Sequence, residues 1–107
     1  MKFENTQGIT KIKYAQRFYG YCPLGDENYA GTLKVEMVPD KWIPDYCDET
    51  NYIFNIYNEC EMIGEDVVNS YFTHLSKEYS PAELTVIMEG ETSKHFPVTI
   101  EKSSKKH

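Results

Sequence analysis

The sequence predicts an α+β fold, with one four-stranded antiparallel sheet and two helices on one of its faces. Three observations carry that prediction. Residues 9–19 (ITKIKYAQRFY) and 31–38 (GTLKVEMV) alternate, which is the period of a half-buried strand. From Asp48 to Tyr79 the apolar spacing becomes helical. After Ser80-Pro81, two more strand-like runs follow, around 84–90 (LTVIMEG) and 95–101 (HFPVTIE).

In order, Leu33, Val35 and Met37 put one face of the second run inward, and Asn/Gly/Asp punctuation separates it from the first. The two therefore read as an antiparallel pair. Pro39 to Pro44 breaks the strand. In the first helix Ile53, Ile56, Tyr57 and Cys60 share a face, and Asp48 is the expected N-cap. The β-prone letters of Tyr52–Tyr57 pull the other way. The second helix carries Glu65 and Asp66 in its first turn, where the dipole favours negative charge. Val68, Tyr71, Phe72, Leu75 and Tyr79 form its apolar stripe, and Pro81 ends it. Both helices must cover one face of the sheet to make a single core. The sheet keeps two open edges, so a homo-oligomer is expected.

At 107 residues the chain reads as one domain, with 1–8 and 102–107 as flexible ends. Nine tyrosines suit half-buried surfaces at a subunit interface or around a flat ligand. A formal charge of −6 disfavours a broad phosphate-binding face, so direct nucleic-acid binding is not expected. The basic tail from Lys102 to His107 reads as a solvated end. No apolar run approaches the length of about 18 residues that a membrane span needs, and Met1–Thr6 turns polar at once. A cytoplasmic location and no membrane partner are expected. Cys22, Cys47 and Cys60 form no Cys-x-x-Cys pair. That argues against a disulfide framework, and against zinc held by these cysteines with His74 or His95. By type alone, Cys22 reads first as a small buried residue, and Glu65 as an ordinary first-turn acid.

Four short segments, in order and spacing, say more. They are Cys22-Pro23 before the second strand, Ala30-Gly31-Thr32 entering it, Val38-Pro39-Asp40-Lys41 leaving it, and Gly64-Glu65-Asp66-Val67-Val68-Asn69 opening the second helix. Over Tyr19 to Leu75 the chain resembles the 7-cyano-7-deazaguanine reductases of the tunnelling fold and their archaeal amidinotransferase relatives. The resemblance implies a ββααββ tunnelling fold and pentamer-based decamers with sites between subunits. It implies that Cys22 attacks a nitrile carbon to form a thioimide. It also implies that Glu65 accepts the guanine-like N–H edge.

The departures bear on chemistry. The family's acid position is Tyr29 here, with Asp26 or Glu27 as replacements. Catalytic roles are thus expected at Cys22, Tyr29 and Asp26, and substrate-binding roles at Glu65 and Glu27. The Lys/Ser-rich stretch that holds NADPH phosphate corresponds to Tyr46-Cys47-Asp48-Glu49-Thr50-Asn51. Two carboxylates there would repel phosphate, so no cofactor is expected. The histidine often found before the family's glutamate is Gly64 here. The expected function is non-redox chemistry on the C7 substituent, nitrile or carboxylate, of a 7-deazaguanine base or nucleotide, by amidine formation, hydrolysis or decarboxylation. The alternatives are an NADPH-dependent nitrile reductase and an inactive relative that only binds. A pterin enzyme ranks last, because few histidines are available for metal.

Overall fold

The computed structural model describes residues 1–91 and 96–105. Its elements are β1 (Lys2–Glu4), β2 (Ile12–Cys22), β3 (Glu27–Val38), β4 (Trp42–Pro44), α1 (Tyr46–Tyr57), α2 (Gly64–Tyr79), β5 (Glu83–Gly90) and β6 (Thr99–Lys105). The sheet runs β2-β3-β5-β6, antiparallel throughout, and β1 and β4 form a separate two-stranded ribbon. Both helices pack on one face, α1 against β2 and α2 against β5 and β6. The expected ββααββ order is present.

The central hairpin is longer than its alternation suggested. β2 and β3 stay in register from Ile12↔Met37 to Cys22↔Glu27. Gly20, which read as loop punctuation, is a strand residue opposite Tyr29. A Cβ at Gly20 would lie 2.7 Å from the Tyr29 ring, so the missing side chain is what seats that ring. Phe18 closes over Gly31, its own cross-strand partner, in the same manner. Two aromatic–glycine pairs thereby carry the ladder to Cys22, leaving only Pro23–Asp26 as turn.

Alternation then sets the faces. Ile12, Phe18, Leu33, Val35, Met37, Leu84, Val86 and Met88 turn inward and are buried. The other face carries cross-strand ion pairs, among them Lys13–Glu36 at 3.3 Å and Lys34–Glu89 at 2.8 Å.

Helix α1 starts earlier than expected. Asp45, not Asp48, is its N-cap, accepting from the Cys47 and Asp48 N–H groups at 3.0 and 3.2 Å. Its buried face is Glu49, Ile53 and Tyr57, while Ile56 is 40% exposed. Cys60 lies past the helix end. The Glu49 carboxylate displaces the expected face because partners await it: Tyr71 Oη and His74 Nε2, each at 3.0 Å, and Tyr79 Oη. In α2 the expected stripe is buried in full, joined by Val67. Ser80 ends the helix in the left-handed region, its N–H on the Ser76 carbonyl.

The chain ends depart from the reading as loose segments. Lys2–Glu4 pairs with β4, and the last strand takes in residues 102–105. That strand starts at Thr99, because Pro97 has no N–H for a ladder. The expected start at His95 falls outside the described residues. The sheet edges are also less open than expected. Along β2, the segment between the helices covers residues 19–21, with Glu59 N–H on the Tyr19 carbonyl at 2.6 Å and Tyr21 N–H on that of Cys60 at 2.9 Å.

Candidate active site at the tip of the long hairpin

Strand parity sends Phe18, Gly20 and Cys22 to the helix-covered face, and Glu27 and Tyr29 of β3 with them. At the hairpin tip that face has no large core side chain to fill it, and a cavity of about 440 Å³ opens. Cys22, Glu27 and Tyr29 line one side, Glu65 enters from the first turn of α2, and Glu91 from the end of β5. Leu24, Ile63, Met88, Val98 and Ile100 supply apolar walls.

Cys22 and Glu27 close the ladder as directly opposite residues, a relation that holds Cβ atoms about 4.5–5.5 Å apart. Cys22 is half-buried, the condition in which a thiol can meet a ligand. The other two cysteines do not line this cavity. Cys47 is exposed on α1, and burial pushes the Cys60 thiol up from its ordinary value.

Tyr29 lines the cavity, but its hydroxyl is committed, donating to the Met62 carbonyl at 3.1 Å. Burial, with smaller contributions from Cys60 and Cys22, pushes its phenol up to about 12. Such a group holds its proton throughout the physiological range. Asp26 sits in the turn at φ 50° and accepts a hydrogen bond from the Tyr21 hydroxyl. It is not among the cavity-lining residues. Of the acids that the sequence offered near Cys22, Glu27 is the one brought beside it.

Gly64 has a steric explanation. A Cβ there would lie 2.6 Å from Met88 Cε and 2.7 Å from Ile100 Cδ1. The space that a histidine would take in the resembled family is occupied by two apolar side chains.

Two surface expectations change. Glu49, read as a phosphate-repelling charge, is only 3% exposed and turned inward. Asp48 is paired with the N-terminal ammonium. Repulsion by these two carboxylates therefore does not argue against NADPH. His74 stacks on Tyr52 with centroids 3.7 Å apart, and its Nε2 faces Glu49. Among the described residues no group of three His, Cys, Asp or Glu is arranged to hold a metal; His95 lies outside them.

A wider groove of about 700 Å³ adjoins the cavity and shares Tyr29 and Glu91 with it. It holds no thiol, which makes the smaller cavity the chemical candidate. Sequence reasoning reached Cys22, Glu27, Tyr29 and Glu65. It missed Glu91 and the apolar walls, of which Met88 and Ile100 come from β5 and β6, far along the chain.

No protein-family profile matches the chain, and no curated protein matches it. Among solved structures it is similar to an archaeosine synthase, QueF-Like, crystallised in the apo form. The TM-score is 0.83 over 92% of this chain and 96% of that one, at 13% sequence identity. This is the tunnelling fold. At that identity the likeness establishes the arrangement of the tunnelling-fold chain and leaves the residues to be argued from their own positions. No helix of the described residues is long and apolar enough to cross a membrane.

Proposed function

We propose that the chain is an enzyme acting on the C7 substituent, nitrile or carboxylate, of a 7-deazaguanine, by non-redox chemistry in modified-guanine biosynthesis. The observation that supports this most directly is one cavity holding Cys22, its ladder partner Glu27 and the helix-start Glu65. Nearly full-length likeness in fold to an archaeosine synthase supports it at a coarser level.

Glu65 is the recognition carboxylate. A guanine-type edge offers adjacent N–H donors, and one carboxylate accepts two of them. Cys22 is the nucleophile for a nitrile: its sulfur bonds to the nitrile carbon, one C–N π bond opens, and the nitrogen takes the thiol proton. Glu27 carries that proton, because Tyr29 is held by Met62 and Asp26 lies outside the cavity. The resulting thioimide is opened by an amine or by water. The attacking atom bonds to carbon, the C–S bond breaks and the thiol recovers a proton, giving an amidine or an amide. On a 7-carboxy base the same Glu27 would instead protonate C7 as carbon dioxide leaves. A free base or nucleotide suits a chain of charge −6 better than a polynucleotide does.

One observation favours a second reading, a relative that binds without turnover: a phenol raised to about 12 stands where the resembled family places its acid. Intact mass after incubation with 7-cyano-7-deazaguanine separates the two. The enzyme reading expects an adduct of the base's mass on the wild type and none on Cys22→Ala. Binding without an adduct or any turnover would leave the binding-only reading. Consumption of NADPH with the nitrile base would mean a reductase. Glu65→Gln sets an amide NH₂ against the substrate donors and should weaken binding by about 2–3 kcal/mol, read by calorimetry. Wild-type affinity in that variant would return Glu65 to a simple helix-start acid.

A further inference from the structure

We infer that Asn58, at the start of the segment between the helices, is a positioning residue that sets the spacing between the Cys22 thiol and the Glu65 carboxylate. This rests on the 7-deazaguanine reading above and adds to it the part that aligns the ligand with the thiol.

Cys22 and Glu65 sit on different elements, the end of β2 and the first turn of α2. Residues 58–62 tie one to the other. Helix α1 ends at Asn58, whose backbone turns extended at φ −65° and ψ 130°. Its Oδ1 accepts the Tyr19 N–H at 3.0 Å. Glu59 follows at φ 60°, in the left-handed region that residues other than glycine enter at a cost. That turn brings the Glu59 N–H onto the carbonyl of the same Tyr19, at 2.6 Å. Tyr19 is thus gripped at both its N–H and its carbonyl. The Cys60 carbonyl then accepts the Tyr21 N–H at 2.9 Å, and Glu61 bridges to Tyr21 in the parallel sense. The Met62 carbonyl accepts the Tyr29 hydroxyl, and the residues after it, Ile63, Gly64 and Glu65, line the cavity.

Two features give Asn58 its weight. Ile63, the N-cap of α2, makes no side-chain cap hydrogen bond, so the place of Glu65 along β2 depends on the backbone that leads into the helix. The hydrogen bonds of Glu59 and Cys60 to β2 join backbone to backbone, whereas that of Asn58 uses its side chain. Without Oδ1 the Tyr19 N–H is released and the left-handed turn loses its support. A base held by Glu65 then shifts against the sulfur, and a misplacement of about 1 Å can cost on the order of a hundredfold in rate. Affinity, set by Glu65 and the apolar walls, is retained.

Asn58→Ala removes the acceptor and Asn58→Asp keeps it. Three measurements on the full chain separate spacing from binding and from thiol chemistry. Intact mass against time with saturating 7-cyano-7-deazaguanine gives the adduct rate. Calorimetry with unsubstituted 7-deazaguanine gives affinity, and alkylation of Cys22 by iodoacetamide, followed on its peptide, gives the reactivity of the thiol itself. Asn58→Ala should slow the adduct by about tenfold or more, with affinity and alkylation each within about threefold of wild type. Asn58→Asp should recover the rate. Ile12→Val, at the buried far end of β2, controls for stability: it should lower the melting temperature and leave the adduct rate alone. A wild-type adduct rate in Asn58→Ala, a loss that Asn58→Asp does not recover, or alkylation that falls with the adduct would each overturn the positioning role and leave the 7-deazaguanine reading intact. If the wild type neither binds the base nor forms the adduct, that reading fails and the positioning role falls with it.

Discussion

Replacing Tyr29 by phenylalanine should cost about 1 kcal/mol of stability, because the Met62 carbonyl loses its donor. Adduct formation on Cys22 should continue, since the Tyr29 hydroxyl is already donated to the Met62 carbonyl and the proton is assigned to Glu27. Glu27→Gln should slow the adduct by about a hundredfold or more, the range of a lost proton carrier. Stopped-flow mass spectrometry of both variants reads the contrast, and a folded Tyr29→Phe that forms no adduct would restore the phenol as the acid. Glu49 acts at the same scale on stability alone. Burial pushes its carboxyl up, but hydrogen bonds from His74, Tyr79 and Tyr71 outweigh that and leave it below its ordinary value. A lowered folded-state pKa contributes stability that is complete above the unfolded carboxylate value and is lost as pH falls through the folded one. Glu49→Gln should flatten the acid limb of thermal melts; an unchanged acid limb would show that the network carries no such linkage.

Among the elements, the β2–β3 hairpin decides whether a site exists. Gly20→Ala places a methyl group against a ring held by Phe18 and Met62, so it should destabilise by about 1–3 kcal/mol. Tyr29→Leu in the same chain should recover part of that loss, and additive denaturant midpoints would deny the contact. This pair also explains a boundary that the sequence concealed. Gly20 opens a stretch that also holds Pro23, Gly25, Asp26 and Asn28 and so reads as a turn signal, and only the cross-strand partner reveals a seat for an aromatic ring. The α1 cap was hidden for a similar reason. Asp45 and Asp48 are chemically alike as caps, and the choice fell to Pro44, which ends β4 immediately before Asp45. By contrast the α2 stripe was fully legible, because five apolar positions at helical spacing leave one way to bury them.

For the whole molecule, assembly is the open prediction. β6 and the Ile12–Phe18 part of β2 are edge strands, while the segment between the helices already occupies β2 beyond Phe18. Edges of that kind favour association with further copies, and light scattering should show a mass several times the chain's 12.5 kDa. A stable monomer on dilution would remove the ring, and with it any site shared between subunits.

The sequence by itself determined the order of elements, the inward faces of β3 and α2, and the short-range pieces of the site. Those are Cys22 at a strand end, Glu27 near it and Glu65 in a helix's first turn. The elements follow from period, cap and turn chemistry within a few residues, and the site pieces were marked out by the resemblance of short segments to a family. The tertiary structure decided what those pieces do together. It joined Cys22 to Glu27 through a ladder register, sealed the Tyr29 hydroxyl on Met62, and turned Asp26 away to Tyr21. It buried Glu49 among phenols and a histidine, and brought Glu91, Met88 and Ile100 around the thiol from strands far along the chain. The physical reason is the same in each case: a side chain's partner across a sheet or core is fixed by register and packing, and local sequence carries neither.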